Sequence, residues 1–495
     1  MTTVVNTSFG ALEGTVADGV RRFLGVPFAK APVGALRFRE PQPLEPWEGV
    51  RQAFGYAKDP IQSNLALGPE HFSEDCLYLN VWAPEGAGPD APVMVWIPGG
   101  AFASGGAGAF KPEGPASYDC HAMAKETGNI VVSVSYRLNV FGFLNLSGFS
   151  PRFDDHLGMK DIVFALRWVS EAIRGFGGDP ANVTVFGESA GGEAISALML
   201  IDEAGPLFHK AIIQSNCYGS FYTVEEEREI CEKYLEFAGL DAGHAEGLLE
   251  LPYARLLEAN KKLDEYVLVR FFGRCSFCPV ADGVYLRGFP TLSSYVGQTK
   301  PVLLGSNKSE GNFQAAAGWK DVDALTQPLL RRLAPDTAAH VLAQYPELPS
   351  LAAFGELLTD VMYAFPKLRH AEQLCAGDGP VYLYRFDYYT PVMEGFGLYA
   401  CHVAEMLPLF ELQTPPFRQF YAGSEDEVHE IGLRMRAYWG NFARSGDPNG
   451  AGLIRWEPYN LETRQTLVIN KTDELVSDAE AAIRERYAGI ERILL

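Results

Sequence analysis

The stretch that most constrains the fold is DPANVTVFGESAGGE, residues 179–193, in which a short apolar strand runs into a glycine-bracketed turn that carries one serine. Residues 183–186 are β-branched or aromatic, which is typical of a buried strand. Gly187 and Gly191 bracket Ser189 in the pattern G-x-S-x-G, and good helix formers follow. A serine in a tight strand-to-helix turn needs neighbours without side-chain bulk. The pattern therefore predicts a serine nucleophile presented at the end of a strand.

Apolar runs that read as strands alternate with helical patterns along most of the chain. After small antiparallel strands before Gly55, the predicted strands are Cys76–Ala83, Ala91–Pro98, Asn129–Tyr136, His209–Ser215, Pro301–Gly305 and Pro380–Phe386, with helices at Tyr118–Thr127 and Gly158–Phe176 between them. This alternation predicts an α/β fold with a mostly parallel central sheet flanked by helices. No linker composition divides the chain, so we expect one domain over residues 1–495. Two strand-free stretches, about 220–275 and 320–375, are expected to form large helical insertions over the active site.

The charge and hydropathy patterns exclude several classes of partner. A formal net charge of −21 repels polyanions, so nucleic acid and anionic membrane surfaces are not expected as partners. No segment approaches the roughly 18 continuous apolar residues that a membrane span needs. The N-terminal sequence does not resemble a secretory signal, so we expect a cytoplasmic protein. We also expect it to be a monomer or a homodimer.

The eight cysteines are expected to be mostly buried thiols, since nothing indicates an oxidising compartment. Cys275 and Cys278 form a single C-x-x-C pair, for which packing is favoured over a metal or redox role because no second ligand pair is evident. Cys401 is likewise expected to be a packed thiol. The sequence predicts no metal site and no cofactor.

A serine nucleophile needs a histidine base that is oriented by a carboxylate. In a strand-to-helix serine turn of this kind the chain order is serine, then acid, then histidine. His402 lies in the loop after the strand that ends at Phe386, which makes it the predicted base. Glu310, in the loop GSNKSEGNF, is the favoured acid, and Asp387 at the end of the next strand is the competitor.

Developing charge on the substrate oxygen needs fixed N–H donors. One is predicted to come from Ala190, the residue after the nucleophile. The others are expected from the glycine-rich loop after the strand VMVWI, through the N–H groups of Gly100 and Ala101. Gly-Gly alone predicts only a turn, and its conjunction with the serine turn is what favours an oxyanion hole.

Seven blocks occur in order along nearly the whole chain: FLGVPFAKAPVGALRF, SEDCLYLNVWAP, VMVWIPGGAF, VVSVSYRLNVFGF, ALRWVSEAIRGFGGDPANVTVFGESAGG, SNKSEGN and CHVAEMLPLF. With these blocks the chain resembles the type-B carboxylesterase family of the cholinesterase-like α/β-hydrolases, and most closely its bacterial para-nitrobenzyl esterase branch. The resemblance implies an α/β-hydrolase fold. It also implies Ser189, Glu310 and His402 as a catalytic triad, and it suggests that two charged pairs, Arg37 with Glu74 and Arg137 with Asp161, are structural.

Several positions depart from the pattern of that family. Pro98 stands where the family often has histidine, which leaves the backbone donors of the following residues intact. His156 and Ile162 replace a usual asparagine and glutamine, which affects loop packing. The loop HVAEML is longer by one residue than the family pattern, so the sequence does not fix the position of Glu405.

Glu193 stands four residues after the nucleophile, one helical turn further on. It is expected either to enter the substrate pocket or to point to solvent or pair with an arginine. Phe102 and Glu188 are further candidates for the pocket. The resulting hypothesis is a serine carboxylesterase that acts through an acyl-serine intermediate, with a neutral, moderately apolar ester as substrate. The alternatives are a lipase that acts on long-chain esters and a non-catalytic scaffold protein of the same fold.

Overall fold

The computed structural model describes residues 1–63, 68–108, 118–217, 221–271, 274–316, 322, 326, 335–412 and 417–490. Their contacts group into two compact units. Unit 1 consists of Met1–Lys210, Tyr222–Glu265 and Cys275–Gly288, and unit 2 consists of Ala211–Phe221, Tyr266–Arg274 and Phe289–Leu495. The single domain over residues 1–495 stays a prediction.

Unit 1 is built on a mixed sheet. The strands of this unit are β1 Thr2–Thr7, β2 Gly10–Ala17, β3 Val20–Pro27, β4 Val50–Gln52, β5 Asp59–Pro60, β6 Phe72–Ser73, β7 Tyr78–Pro84, β8 Ala91–Ile97, β9 Ile130–Val134 and β10 Gly178–Glu188. Strands β5 and β6 pair only with each other, in a separate two-stranded sheet. Neighbours in the sheet follow the order β1-β2-β3-β7-β9-β8-β10, antiparallel from β1 to β9 and parallel from β9 to β10. The small antiparallel strands predicted at the start of the chain are thus confirmed for β1 to β3, whereas β4 pairs parallel with β2.

Strands β8 and β10 form the part of this sheet that carries the predicted nucleophile. All seven residues of β8 are buried, as expected for a parallel strand with both faces covered. Val95 pairs with Val185, and Ile97 pairs with Gly187, so both strands end at the same edge. The turn after β8 and the turn after β10 are therefore neighbours.

Unit 2 carries the second group of strands. These are β11 Lys210–Gln214, whose first residue belongs to unit 1, then β12 Val302–Asn307, β13 Val381–Phe386, β14 Gln465–Ile469 and β15 Glu474–Ser477. Strands β11 to β14 are parallel in chain order, and β15 pairs antiparallel with β14. The sequence did not indicate β14 and β15, because each is a short run set among charged residues and turn formers.

The helices cover the intervals between strands. They are α1 His121–Thr127, α2 Asn139–Phe143, α3 Leu157–Ala172, α4 Ala190–Leu198, α5 Val224–Ala238, α6 Tyr253–Arg270, α7 Asn312–Ala316, α8 Pro335–Ala343, α9 Leu351–Leu358, α10 Phe365–Leu374, α11 Pro391–Gly395, α12 Met406–Phe410, α13 Glu425–Ser445 and α14 Ala481–Arg486. In residues 1–63, 68–108 and the other described ranges, none of them has both the length and the apolar character needed to cross a membrane.

The first predicted insertion, about 220–275, is helical where it is described. Helix α5 begins with a capping box in which Thr223 and Glu226 bond each other's backbone N–H groups. A 3₁₀ segment, Ala242–Leu249, and helix α6 follow. Helices α8, α9 and α10 make up the second insertion, about 320–375, and a π-helix, Thr359–Ala364, joins α9 to α10. Residues 320, 321, 323–325 and 327–334 of that prediction lie outside the described residues.

Candidate active site

Ser189 lies at the junction of β10 and α4 in a backbone conformation that few L-residues adopt. Its φ is 57° and its ψ is −126°, while α4 begins at the next residue. The carbonyl of Ser189 accepts the Glu193 N–H at 2.9 Å, so the serine is already held by the first turn of the helix. Residues 183–188 of the strand are buried, whereas Ser189 itself is partly accessible. The turn therefore presents the serine from a rigid base, as the G-x-S-x-G pattern predicts.

The two bracketing glycines are required by the close approach of β8. A Cβ on Gly191 would lie 2.0 Å from the Ile97 carbonyl oxygen, and a Cβ on Gly187 would lie 2.6 Å from the same atom. Both distances are far inside van der Waals contact with backbone that cannot move freely. Any larger residue at either position would push the serine turn away from the end of β8.

The turn after β8 is strained in the same way. Gly100, Ala101 and Phe102 have φ angles of 117°, 55° and 55°, a run of left-handed residues that includes two with side chains. The Gly100 carbonyl accepts the N–H groups of Ala103 and Ser104, at 3.0 and 2.9 Å, and so closes the turn. A Cβ on Gly99 would lie 2.5 Å from the Glu188 carbonyl oxygen and 3.0 Å from the Ser189 Cβ. The predicted donor loop is thus packed directly against the serine turn.

The three candidate pocket residues are all buried. Phe102 is fully buried and its ring lies 4.4 Å from that of Phe143, centroid to centroid. Glu188 and Glu193 are each 1% exposed. The alternative that Glu193 points to solvent is therefore wrong, because its place in the first turn of α4 faces the interior.

In unit 2 the predicted acid and base contact each other. The Oε2 atom of Glu310 lies 2.7 Å from Nδ1 of His402, and the His402 N–H donates to the Glu310 carbonyl at 3.2 Å. Glu310 is fully buried. Its other oxygen accepts the Asn307 N–H at 2.7 Å. The carboxylate is thus fixed at both oxygens, and Nδ1 is the imidazole nitrogen that faces it.

A second buried carboxylate, Glu405, lies close to this pair. It accepts the hydroxyl of Ser215 at 3.0 Å and the side-chain amide of Asn307, which also donates to the Cys401 carbonyl at 2.8 Å. Burial, reinforced by the charge of Glu310, raises the pKa of Glu405 to about 7. Sequence reasoning left Glu405 unplaced and missed Ser215 and Asn307, because the residues of this network are far apart in the chain.

Asp387, the competing acid, is occupied by other partners. Arg385 donates to it through two nitrogens, at 2.6 and 2.8 Å, and Lys308 lies 3.3 Å away. An aspartate held by this bidentate pair is a structural anchor. The geometry therefore pairs the histidine with Glu310.

Among the described residues, the rings of Tyr363 and Phe313 lie near the imidazole of His402, which also borders an apolar cavity. The Tyr363 ring lies 5.1 Å from the imidazole centroid and the Phe313 ring lies 6.3 Å from it. The cavity has a volume of about 230 Å³. Besides His402, it is lined by the apolar side chains of Phe313, Met393, Leu398, Leu407 and Phe420. Such a lining suits an apolar part of a ligand.

The two structural ion pairs implied by the resemblance are present. Arg37 is bonded to Glu74, and Arg137 donates two hydrogen bonds of 2.7 Å to Asp161. His156 has a φ of 56°, and its Nε2 atom lies 3.0 Å from Asp282. The histidine therefore ties its loop to residues 275–288 of unit 1.

All eight cysteines are free thiols. Cys278 donates to the Cys275 carbonyl at 3.1 Å, so this pair packs as a turn. Burial raises the pKa of the Cys401 thiol to about 12, and a thiol of such a pKa is a poor nucleophile. Within the part of the chain that the structure describes, His, Cys, Asp and Glu form no group of three suited to a metal ion.

The sequence of the whole chain is similar to those of known carboxylesterases. The model of the carboxylesterase family matches residues 1–487. The para-nitrobenzyl esterase of Bacillus subtilis (strain 168) is 34% identical over 495 residues, which cover 98% of this chain and 98% of that protein. Carboxylesterase 4A of Bos taurus is 32% identical and covers 93% of this chain and 90% of the bovine protein.

Solved structures extend this likeness to the fold. A para-nitrobenzyl (PNB) esterase structure superposes with a TM-score of 0.85 and 33% identity, over 98% of this chain and 100% of the other. The Geobacillus stearothermophilus carboxylesterase EST55 at pH 6.8 gives a TM-score of 0.83 and 34% identity, over 98% and 99% of the two chains. The α/β-hydrolase fold with a mostly parallel sheet flanked by helices is thereby confirmed.

Proposed function

We propose a catalytic role for each of three residues in this chain, which belongs to the carboxylesterase family. In the hydrolysis of carboxylic esters, Ser189 is the nucleophile, His402 is the base, and Glu310 is the carboxylate that orients the base. Carboxylic ester hydrolysis is the activity for which its relatives are named. The observation that best supports this assignment of residues is the 2.7 Å contact between His402 Nδ1 and Glu310 Oε2. It fixes the imidazole tautomer that can accept a proton at Nε2.

The first half of the reaction acylates the serine. His402 takes the Ser189 hydroxyl proton as Oγ attacks the ester carbonyl, and the carbonyl oxygen becomes an oxyanion. The N–H groups of Gly100, Ala101 and Ala190 donate to that oxygen. When the tetrahedral intermediate collapses, His402 returns the proton to the leaving alcohol, and Ser189 carries the acyl group.

The second half releases the acid. Water attacks the acyl-serine while His402 accepts its proton, and a second tetrahedral intermediate forms in the same oxyanion hole. Its collapse gives the carboxylic acid and restores the Ser189 hydroxyl. The Glu310 carboxylate compensates the positive imidazolium. The reaction requires no metal and no organic cofactor.

The substrate is proposed to be a neutral, moderately apolar ester. Support comes from the apolar lining of the cavity beside His402. A pocket role is proposed for Phe102, Glu188 and Glu193, which are buried around the serine turn. A Glu193 carboxylate in the pocket would extend the range of substrates to esters with a basic or polar alcohol group. The lipase alternative has less support, since the relatives reported above bear esterase names.

A para-nitrophenyl ester series from acetate to palmitate, measured on wild type and Ser189→Ala, tests the proposal. The variant should lose on the order of 10⁶ in kcat. Retained turnover would refute the nucleophile, and a preference for palmitate at an interface would favour a lipase. The pocket role of Glu193 is tested by measuring kcat/KM for cationic and for neutral esters on wild type and Glu193→Met. If the ratio of the two kcat/KM values is the same in both proteins, Glu193 does not contact the substrate.

Location and assembly remain proposals. A cytoplasmic protein is consistent with eight free thiols. The monomeric or homodimeric state is a prediction that sedimentation equilibrium would settle.

A further inference from the structure

The turn that carries the proposed oxyanion donors is held at both of its ends by one short segment of unit 1. The hydroxyl of Tyr136 donates to the Pro98 carbonyl at 2.6 Å, just before the turn. The N–H of Asn139 donates to the Phe102 carbonyl at 2.6 Å, at the far end of the turn. Residues 136–139 therefore fix both the entry and the exit of the donor loop.

The upstream anchor depends on a side chain because of the residue at position 98. Proline has no N–H, so its carbonyl is the one backbone group through which it can be hydrogen-bonded. Strand β8 ends at Ile97, and parallel pairing with β10 ends at the same residue. The Tyr136 hydroxyl thus holds the first peptide beyond the sheet, immediately before Gly99.

The turn needs such anchors because its backbone is strained. Ala101 and Phe102 both have φ near 55°, a conformation that persists only where the surroundings enforce it. Aromatic packing adds to the enforcement. The Phe143 ring lies 6.1 Å from that of Tyr136 and 4.4 Å from that of Phe102, so one ring braces both ends.

The Tyr136 hydroxyl is well suited to act as a permanent donor. Tyr136 is 1% exposed, and burial, with a smaller contribution from the charge of Glu193, raises its pKa above the usual value. The phenol therefore stays protonated across the pH range of ester hydrolysis. It is therefore able to donate to the Pro98 carbonyl at any pH in that range.

We propose that Tyr136 is a positioning residue of the oxyanion hole: by bonding the Pro98 carbonyl it sets where the N–H groups of Gly100 and Ala101 point. The inference rests on the proposed function, because it presumes that these N–H groups bind the oxyanion. Without the anchor, the strained turn relaxes and the donors move away from the place where charge develops. Small misplacements of this kind are costly to the chemical step and have little effect on ground-state binding.

The variant Tyr136→Phe tests the inference, since it keeps the ring against Phe143 and removes only the hydroxyl. We expect kcat for para-nitrophenyl esters to fall between about 10-fold and 100-fold, with KM changed less than about threefold. Inhibition by a trifluoromethyl ketone, which forms a tetrahedral adduct with the serine, should weaken by the same factor. Binding of an analogue that has an ether oxygen in place of the ketone carbonyl, and therefore forms no adduct, should stay unchanged.

A control separates positioning from stability. Tyr234 is a fully buried tyrosine of unit 1 whose hydroxyl donates to the Leu256 carbonyl at 2.9 Å, within the helical insertion. Tyr234→Phe should lower the melting temperature without changing kcat or affinity for the ketone. If Tyr136→Phe behaves like Tyr234→Phe, Tyr136 is only structural and the inference is overturned. If Ser189→Ala keeps its activity, the proposed function fails instead.

Discussion

The turn of unit 1 that carries the proposed nucleophile and the pair of unit 2 that supplies the proposed acid and base are held in place by different means. Around Ser189 the positions are set by backbone geometry, through glycines pressed against carbonyls and a run of left-handed residues. Around His402 they are set by side chains, through hydrogen bonds among Glu310, Asn307, Ser215 and Glu405. The first design tolerates almost no added atom, and the second tolerates no lost polar group.

This difference corresponds to different chemical demands. Oxyanion donors must be rigid and uncharged, which backbone N–H groups in an enforced turn provide. A base must change its protonation state during the reaction, so a nearby charge must compensate the imidazolium when it forms. Each half is therefore expected to fail in its own way when it is altered.

Among the changes that test this difference between the two regions, Glu310→Gln in unit 2 is expected to have the largest effect. The amide keeps the size of the side chain but removes the charge that compensates the imidazolium and can favour the wrong tautomer, so kcat should fall by roughly 10⁴. Steady-state kinetics with para-nitrophenyl acetate would measure it. Asp387→Asn is the matched control and should keep most of the activity. The reverse pattern would make Asp387 the acid.

A smaller loss is expected when a single methyl group is added to the backbone of unit 1. In Gly99→Ala the new Cβ would meet the Glu188 carbonyl at 2.5 Å, so the donor loop must shift away from the serine. A displacement of about 1 Å costs roughly 10²-fold in kcat. Gly148→Ala, where a Cβ meets nothing within 4 Å, is the control. Equal kcat values for the two variants would contradict a donor role for this loop.

The smallest effect concerns Glu405 and appears as a pH dependence of stability. Its pKa is raised to about 7 in the folded protein, so between pH 4.5 and 7 the folded state holds a proton that the unfolded state has lost. This contribution to stability is present at low pH and is lost as the pH rises through 7.

Glu405→Gln should therefore lose less stability between pH 5 and pH 8 than wild type does, by on the order of 1 to 3 kcal/mol. Thermal or urea unfolding at the two pH values would measure the difference. The exposed Glu462 gives the control, Glu462→Gln, which should follow wild type. If Glu405→Gln also follows wild type, the carboxylate is ionised in the fold.

The sequence was sufficient for the parts of the site that are contiguous in the chain. The strand into Ser189, its two glycines and the Gly-Gly loop after β8 were predicted because steric needs are local and leave a local pattern. The sequence also predicted Glu310 and His402, whose place after successive strands follows from the order of a parallel sheet. It did not predict β14 and β15, which have no distinctive local pattern.

Only the tertiary structure decided which distant residues meet. The contacts of Ser215, Asn307 and Glu405 span up to 190 residues, and no periodicity or motif encodes them. The same holds for Tyr136 and Pro98. The sequence shows that the proline has no N–H, but it does not show that the Tyr136 hydroxyl bonds the Pro98 carbonyl. Backbone strain and glycine spacing are properties of a few successive residues, whereas hydrogen-bond partners are selected by packing of the whole fold.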